Sequence, residues 1–178
     1  MGINLSTHKR KGIDFNQYID KCIQKAYSNL WILRRLAEMG VPTEKLILTY
    51  TLRVRVHIEQ NTPLFMFLLT KAMEKKIEKV QKVSAYIILG ENAHFDYSSN
   101  LDILNLETLE ERREKVALKF ASKILKHPQH RNIFTFKTSC ATRSGREVVI
   151  PNCKTARYEA TTVPSLAKLI NQNLSHKI

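Results

Sequence analysis

Acidic residues are scarce in this chain of 178 residues. Sixteen Asp and Glu stand against twenty-nine Lys and Arg, which leaves a formal charge of +13 and a pI near 9.8. Such an excess attracts polyanions, with nucleic acid first and an anionic membrane surface second. Cysteine is scarce as well: Cys22, Cys140 and Cys153 are odd in number and show neither C-x-x-C nor Cys/His ligand spacing. That pattern speaks against a disulfide framework and against a zinc site, and it fits a reducing intracellular setting, nucleus or cytoplasm. Long apolar runs are missing. The longest, Pro63 to Leu69, falls far short of the roughly 20 residues a spanning helix needs. No signal-peptide pattern opens the chain. The remaining composition, 43% hydrophobic and 25% charged, is that of an ordinary globular domain, or a domain with a tail.

What is present is helical periodicity with its ends written in. Thr108 followed by Glu111 is a capping-box pattern for a helix running to Lys126. Glu110, Glu111 and Glu114 come early in it and Lys119, Lys123 and Lys126 late, the order the helix dipole favours. His127-Pro128 ends it, because proline disfavours helical geometry in the residue before it. Leu109, Val116, Ala117, Phe120, Ala121 and Ile124 form its apolar stripe. Upstream, Asp14 is placed to cap a first helix that keeps its period from Phe15 through Leu36. Gly40, Val41 and Pro42 are its stop signal. Tyr27 and Trp31 are expected to pack within it. Thr43 is placed to cap a second helix carrying Leu46, Ile47, Tyr50, Val54 and Ile58.

After Asn61-Thr62-Pro63, the apolar run is open between a short strand and a buried helical turn. Thr70 then starts a third long helix, which Gly90 stops. At roughly 100° per residue, Met73, Ile77, Val80, Ser84 and Ile87 gather on one side, and Lys71, Lys75, Lys79 and Lys82 in one narrow sector nearly opposite. Like charges so close repel each other unless an anion lies along them. A solvated face, eased by Glu74 and Glu78 at its edge, is the plainer account of the same residues. A polar linker, Glu91 to Asn100, with His94 as a loop residue, leads to a short helix, Leu101 to Leu104.

Beyond Pro128 the character changes. His127 to Ile178 carries eight Lys and Arg against Glu147 and Glu159. Ile133–Phe136 and Val148–Ile150 have strand character, with Ser144-Gly145 as the turn between them, and a last helix is predicted over Val163–Leu174. Basic residues interleaved with Phe134, Phe136 and Tyr158 suit single-stranded nucleic acid, and equally a loosely ordered basic tail. The fold class expected is mainly α, a helical bundle of three to four long helices with a short basic C-terminal extension. The predicted division is 1–126 and 127–178.

Taken in order, the short signatures have a familiar succession. Gly40 to Tyr50 (G-V-P-T-E-K-L-I-L-T-Y) precedes Val54-Arg55 and Thr62-Pro63. Ile77-Glu-Lys-Val-Gln-Lys82 follows, then Ile87-Ile-Leu-Gly90 and the Leu106-to-Arg113 block L-E-T-L-E-E-R-R. Lys119-Phe-Ala-Ser-Lys123, Ala156-Arg-Tyr158 and Val163-Pro-Ser-Leu166 close the series. Over nearly the whole chain this resembles the C-terminal part of the reverse transcriptase of non-LTR (LINE, Jockey-like) retrotransposons, the thumb and beyond. Met1-Gly2-Ile3 and Phe15-Asn-Gln-Tyr-Ile19 are similar to the family's Leu-Gly-Val/Ile and Phe-x-x-His-Ile stretches, with Tyr18 in place of the usual histidine. Phe65 departs too, where the family has tryptophan close after proline. Met1 to Ser6 also fits an N-myristoylation pattern, followed by the basic His8–Lys11. The resemblance accounts for that glycine without a lipid.

Polymerases of this kind hold two Mg²⁺ ions on a Tyr-x-Asp-Asp turn and an upstream aspartate. Here Asp14, Asp20, Asp96 and Asp102 are scattered and no Asp-Asp pair occurs. The resemblance therefore implies a piece of an RNA-directed DNA polymerase without its metal-holding palm and without the upstream endonuclease. No catalytic residue, cofactor, metal or small-molecule substrate is expected of it, and no membrane. The partners implied are RNA or an RNA/DNA duplex and the missing palm and fingers. The residues expected on nucleic acid are Lys71, Lys75, Lys79, Lys82, Arg112, Arg113, Arg143, Arg146 and Arg157. The competing expectations are a helical remnant or interaction module without retained activity, and a membrane-surface protein using Gly2.

Overall fold

The computed structural model describes residues 16–136, 148–159 and 161–175. Its first helix, α1 (Asn16–Glu38), buries Ile19, Ile23, Ala26, Leu30 and Leu33 along one face. It ends as its sequence predicts. Gly40 takes φ 72°, its N–H reaches the Ala37 carbonyl at 3.0 Å, and Val41 N–H reaches the Leu36 carbonyl at 3.1 Å. This is the Schellman arrangement, in which a glycine at positive φ lets two orphan carbonyls be satisfied. The predicted cap Asp14 lies outside the described residues. Tyr27 and Trp31 correct the expectation that they pack: Trp31 is 62% exposed and Tyr27 is exposed too. Both sit a residue past buried positions, Ala26 and Leu30, and so turn off the buried stripe.

One helical rod follows. It begins as α2 (Thr43–Thr49), passes through a π-helical segment (Tyr50–Arg55) and closes as α3 (Val56–Glu59). Thr43 is not its cap. Pro42 holds that position, and its carbonyl accepts the N–H groups of Lys45 and Leu46 at 2.9 and 3.1 Å. Leu46, Tyr50, Val54 and Ile58 face the interior, while Leu48, Leu52 and Val56 are exposed. The ambiguous apolar run resolves as helix, α4 (Thr62–Phe65) continued by a 3₁₀ turn over Met66–Leu68. The third long helix, α5 (Lys71–Leu89), starts at Thr70, whose hydroxyl accepts Met73 N–H at 3.3 Å, and stops at Gly90 with φ 55°.

The linker after α5 holds more structure than its composition suggested. α6 (Tyr97–Leu104) starts four residues earlier than predicted, because Asp96 accepts the Ser99 N–H at 3.1 Å and so caps it. Hydroxyl contacts from Ser98 and Ser99 and that backbone bond hold the Asp96 carboxyl below its usual range. Buried Asn100 ties down the loop before it, accepting His94 N–H at 2.7 Å and donating to the His94 carbonyl at 2.8 Å. α7 (Leu109–Lys126) opens on the predicted capping box: Glu111 N–H donates to Thr108 Oγ1 and Thr108 N–H to Glu111 Oε2, both at 3.2 Å.

The described residues pack as two units. One takes Met1–Gln60 with Leu69–Arg112, the other Asn61–Leu68 with Arg113–Ile178. The dividing line therefore falls within α7 rather than after Lys126. In the first unit α1 packs against α5 and the Thr43–Glu59 rod, and α6 against α5. In the second, Ala117, Ala121, Phe134, Val148, Leu166, Ala167 and Ile170 form a buried cluster with Met66, Phe67 and Phe136 against it. The chain there includes α8 (Ala156–Glu159) and α9 (Thr162–Ser175). The predicted strand pair shrinks to a single antiparallel bridge between Phe136 and Val148, and no strand forms among the described residues. Asn171 of α9 occupies the Val148 backbone instead, donating to its carbonyl at 2.9 Å and accepting its N–H at 3.0 Å. The Ser144-Gly145 turn lies outside the described residues.

Inside the first unit lies one polar network. Gln81 on α5 is fully buried. Its Oε1 accepts Tyr50 OH at 2.6 Å, and its Nε2 donates to Tyr97 OH at 3.1 Å and to the Glu107 carbonyl at 2.9 Å. Tyr97 OH in turn donates to Glu78 Oε1 at 2.6 Å, and Leu109 N–H donates to the Glu78 carboxylate at 3.2 Å. A carboxylate is thus set against the N-terminus of α7, where the helix dipole favours negative charge. Replacing Gln81 by Met keeps the volume but strands these partners, so a loss of about 1–3 kcal/mol in urea unfolding is expected.

Burial, with the Glu78 bond added for Tyr97, pushes both phenols well above the ordinary value of 10.0. A raised folded-state value favours the protonated form. The stability it contributes is intact below pH 10.0 and is lost as pH rises beyond it. Urea midpoints should accordingly fall across that boundary, with phenolate absorbance of the folded protein lagging behind that of the unfolded chain.

Candidate nucleic-acid interface

The face of α5 away from α1 is set by what the helix buries. Ile77, Val80, Gln81, Ser84, Ala85 and Ile88 point inward. With 3.6 residues per turn, Lys71, Lys75, Lys79 and Lys82 must then point outward, and all four are exposed. They follow one another along the helix with a charge roughly every 6 Å or less. None of the four has an ion-pair partner among the described residues. Lys76 stands apart, since it reaches across to Asp20 on α1 at 3.2 Å.

The acids thought to ease this ridge contribute less than their spacing suggests. Glu78 is turned inward, held by Tyr97 OH and the first N–H of α7. Glu74 remains at the edge, half-buried. Glu78 therefore forms no ion pair with the neighbouring lysines among the described residues, and any easing of their mutual repulsion comes without direct contact.

The two arginines that open α7 are placed differently from the lysines. Arg112 forms a two-pronged pair with Glu59, Nε on Oε1 and Nη2 on Oε2 at 3.1 Å. That bond, against some burial, raises its guanidinium above the usual value. Arg55 Nε lies 3.6 Å from the same Glu59 carboxylate, and its guanidinium carbon is 5.8 Å from the Tyr50 ring centre. Arg112 is thus a strut between the Thr43–Glu59 rod and the start of α7. Arg113 is only 6% exposed, and its Nη1 is buried with no hydrogen-bond partner. It falls on the same stripe as Leu109 and Ala117, four residues away on either side. These placements correct the expectation that the pair meets phosphate at the surface: one is committed to a carboxylate, the other is covered.

Arg143 and Arg146 lie outside the described residues. Arg157 falls in the short α8, and its side chain is likewise outside what is described. No group of three or more His, Cys, Asp or Glu fit to hold a metal ion occurs among the described residues. No described helix is long and apolar enough to cross a membrane. The network around Gln81 went unforeseen, because a lone glutamine between two lysines carries no periodic signal; the fully buried amide is visible only once Tyr50 and Tyr97 arrive from elsewhere in the chain.

No protein-family model matches the chain, and neither does a curated protein or a solved structure.

Exchanging Arg112 for Gln tests this strut: urea melts are expected to report a loss of about 1 kcal/mol, as for a partly exposed ion pair.

Proposed function

We propose that this chain is the nucleic-acid-gripping part of a non-LTR retrotransposon RNA-directed DNA polymerase, without catalytic activity of its own. It holds an RNA template or RNA/DNA duplex through Lys71, Lys75, Lys79 and Lys82. The observation that carries the reading is the ridge: four exposed lysines on one face of α5, none of them paired with an acid among the described residues, in a protein of charge +13. Contact of that kind reads backbone phosphate and not sequence, and it releases counterions. The order of short signatures along the chain supports the family assignment. The absence of any Asp-Asp pair from the sequence argues against metal-dependent nucleotidyl transfer by this chain alone.

A second reading, an interaction module, has its own observation. Trp31, Leu48, Leu52 and Val56 of the first unit are exposed, and exposed apolar side chains in one unit are what a protein partner would cover. The two readings predict different outcomes in one titration. With K71Q, K75Q, K79Q and K82Q combined, RNA affinity measured by fluorescence anisotropy should drop. The slope of log affinity against log salt should fall by about 3, since each phosphate contact contributes roughly 0.7–0.9. An unchanged slope would remove the ridge from the function, and absence of RNA binding by the wild type at moderate salt would favour the interaction module.

A further inference from the structure

The second half of α7 carries a basic surface that the reading above does not use. All acids of this helix, Glu110, Glu111 and Glu114, lie before Lys115. Past that point the polar face presents Lys119, Lys123 and Lys126, all exposed, within a sector of about 60° and over a length of about 10 Å. None of the three pairs with an acid among the described residues. The helix dipole accounts for the last two, because its attraction for cations is confined to the final turn. Lys119 sits beyond that reach.

The ridge runs directly into an aromatic feature. His127 and His130, both exposed, stack with ring centres 4.6 Å apart and planes 29° from parallel. Their geometry is set by the backbone: His127 N–H bonds the Lys123 carbonyl, and His130 N–H bonds the His127 carbonyl, both at 3.1 Å. Exposed rings gain little from solvent in this arrangement, whereas an unpaired base can stack on imidazole while its phosphates meet lysine.

We propose that Lys119, Lys123 and Lys126 with the His127/His130 pair form a second nucleic-acid contact, in the second unit, that takes single strands. Duplexes, whose bases are already stacked on one another, meet only the lysines. The inference extends the proposed function and rests on its premise that the chain binds nucleic acid, but not on the α5 ridge.

The test is anisotropy with a single-stranded oligouridylate of about 16 nucleotides, a span within reach of one binding module, and with a duplex of equal length. Combining K119Q, K123Q and K126Q should lower the salt slope by about 2, and the matching arginine variants K119R, K123R and K126R should restore it. H127A with H130A should weaken single-strand binding by about fivefold or more and leave duplex binding as it was. An unchanged slope in the glutamine variant, an equal loss in the arginine variant, or intact single-strand binding without the histidines would each overturn the proposal. The α5 quadruple variant run alongside keeps the two claims apart. If it alone loses slope, the α5 ridge stands and this site falls; if only the α7 variant loses slope, the reverse holds.

Discussion

One buried amide fixes the register of the first unit. Gln81 has no access to water, so each of its polar atoms must be satisfied from within or cost the fold the full price of desolvation. Tyr50, Tyr97 and the Glu107 carbonyl meet that demand from three separate stretches of chain. A rotation of α5 about its axis would break all three bonds together. The same constraint holds the neighbours of Gln81 in place: Val80 inward, Lys79 and Lys82 outward. The surface charge of α5 is in this sense decided in the interior.

Glu78 extends the network to the next helix. Its carboxylate takes the Tyr97 hydroxyl and the first N–H of α7, which joins the middle of one helix to the beginning of another. Glu59 has a comparable part, accepting both prongs of Arg112 while Arg55 stands nearby. Both acids are committed to contacts other than the α5 lysines: Glu78 to Tyr97 and the start of α7, Glu59 to Arg112, while Glu74 alone remains half-buried at the edge of the ridge.

The second unit is assembled by different means. Its core mixes small, branched and aromatic side chains, Ala117, Ala121, Leu166, Ile170 and Phe134 among them, gathered from α7, α9 and the segments around Phe134 and Val148. Asn171 takes over the backbone groups that a longer strand pair would have bonded. This lets an irregular stretch be buried without orphaned donors or acceptors. Each unit carries one row of exposed lysines, Lys71, Lys75, Lys79 and Lys82 in the first and Lys119, Lys123 and Lys126 in the second.

What local rules govern was legible in the sequence. The helix ends at Gly40, Gly90 and Thr108 depend on residues a few positions apart, and the apolar stripes of α1, α5 and α7 depend on period alone, so both could be read without partners. The exposure of the four α5 lysines follows from the same period. What only the tertiary structure decided is which polar residues go inside. Arg112 and Arg113 are adjacent, identical and expected to act alike, yet one braces Glu59 and the other is enclosed on the apolar stripe. Gln81 and Glu78 likewise look like surface positions until Tyr50 and Tyr97 are brought to them. A short-range pattern states which face a residue belongs to, but whether a polar group on that face is tolerated depends on partners dozens of positions away, and those meet only when the chain has folded.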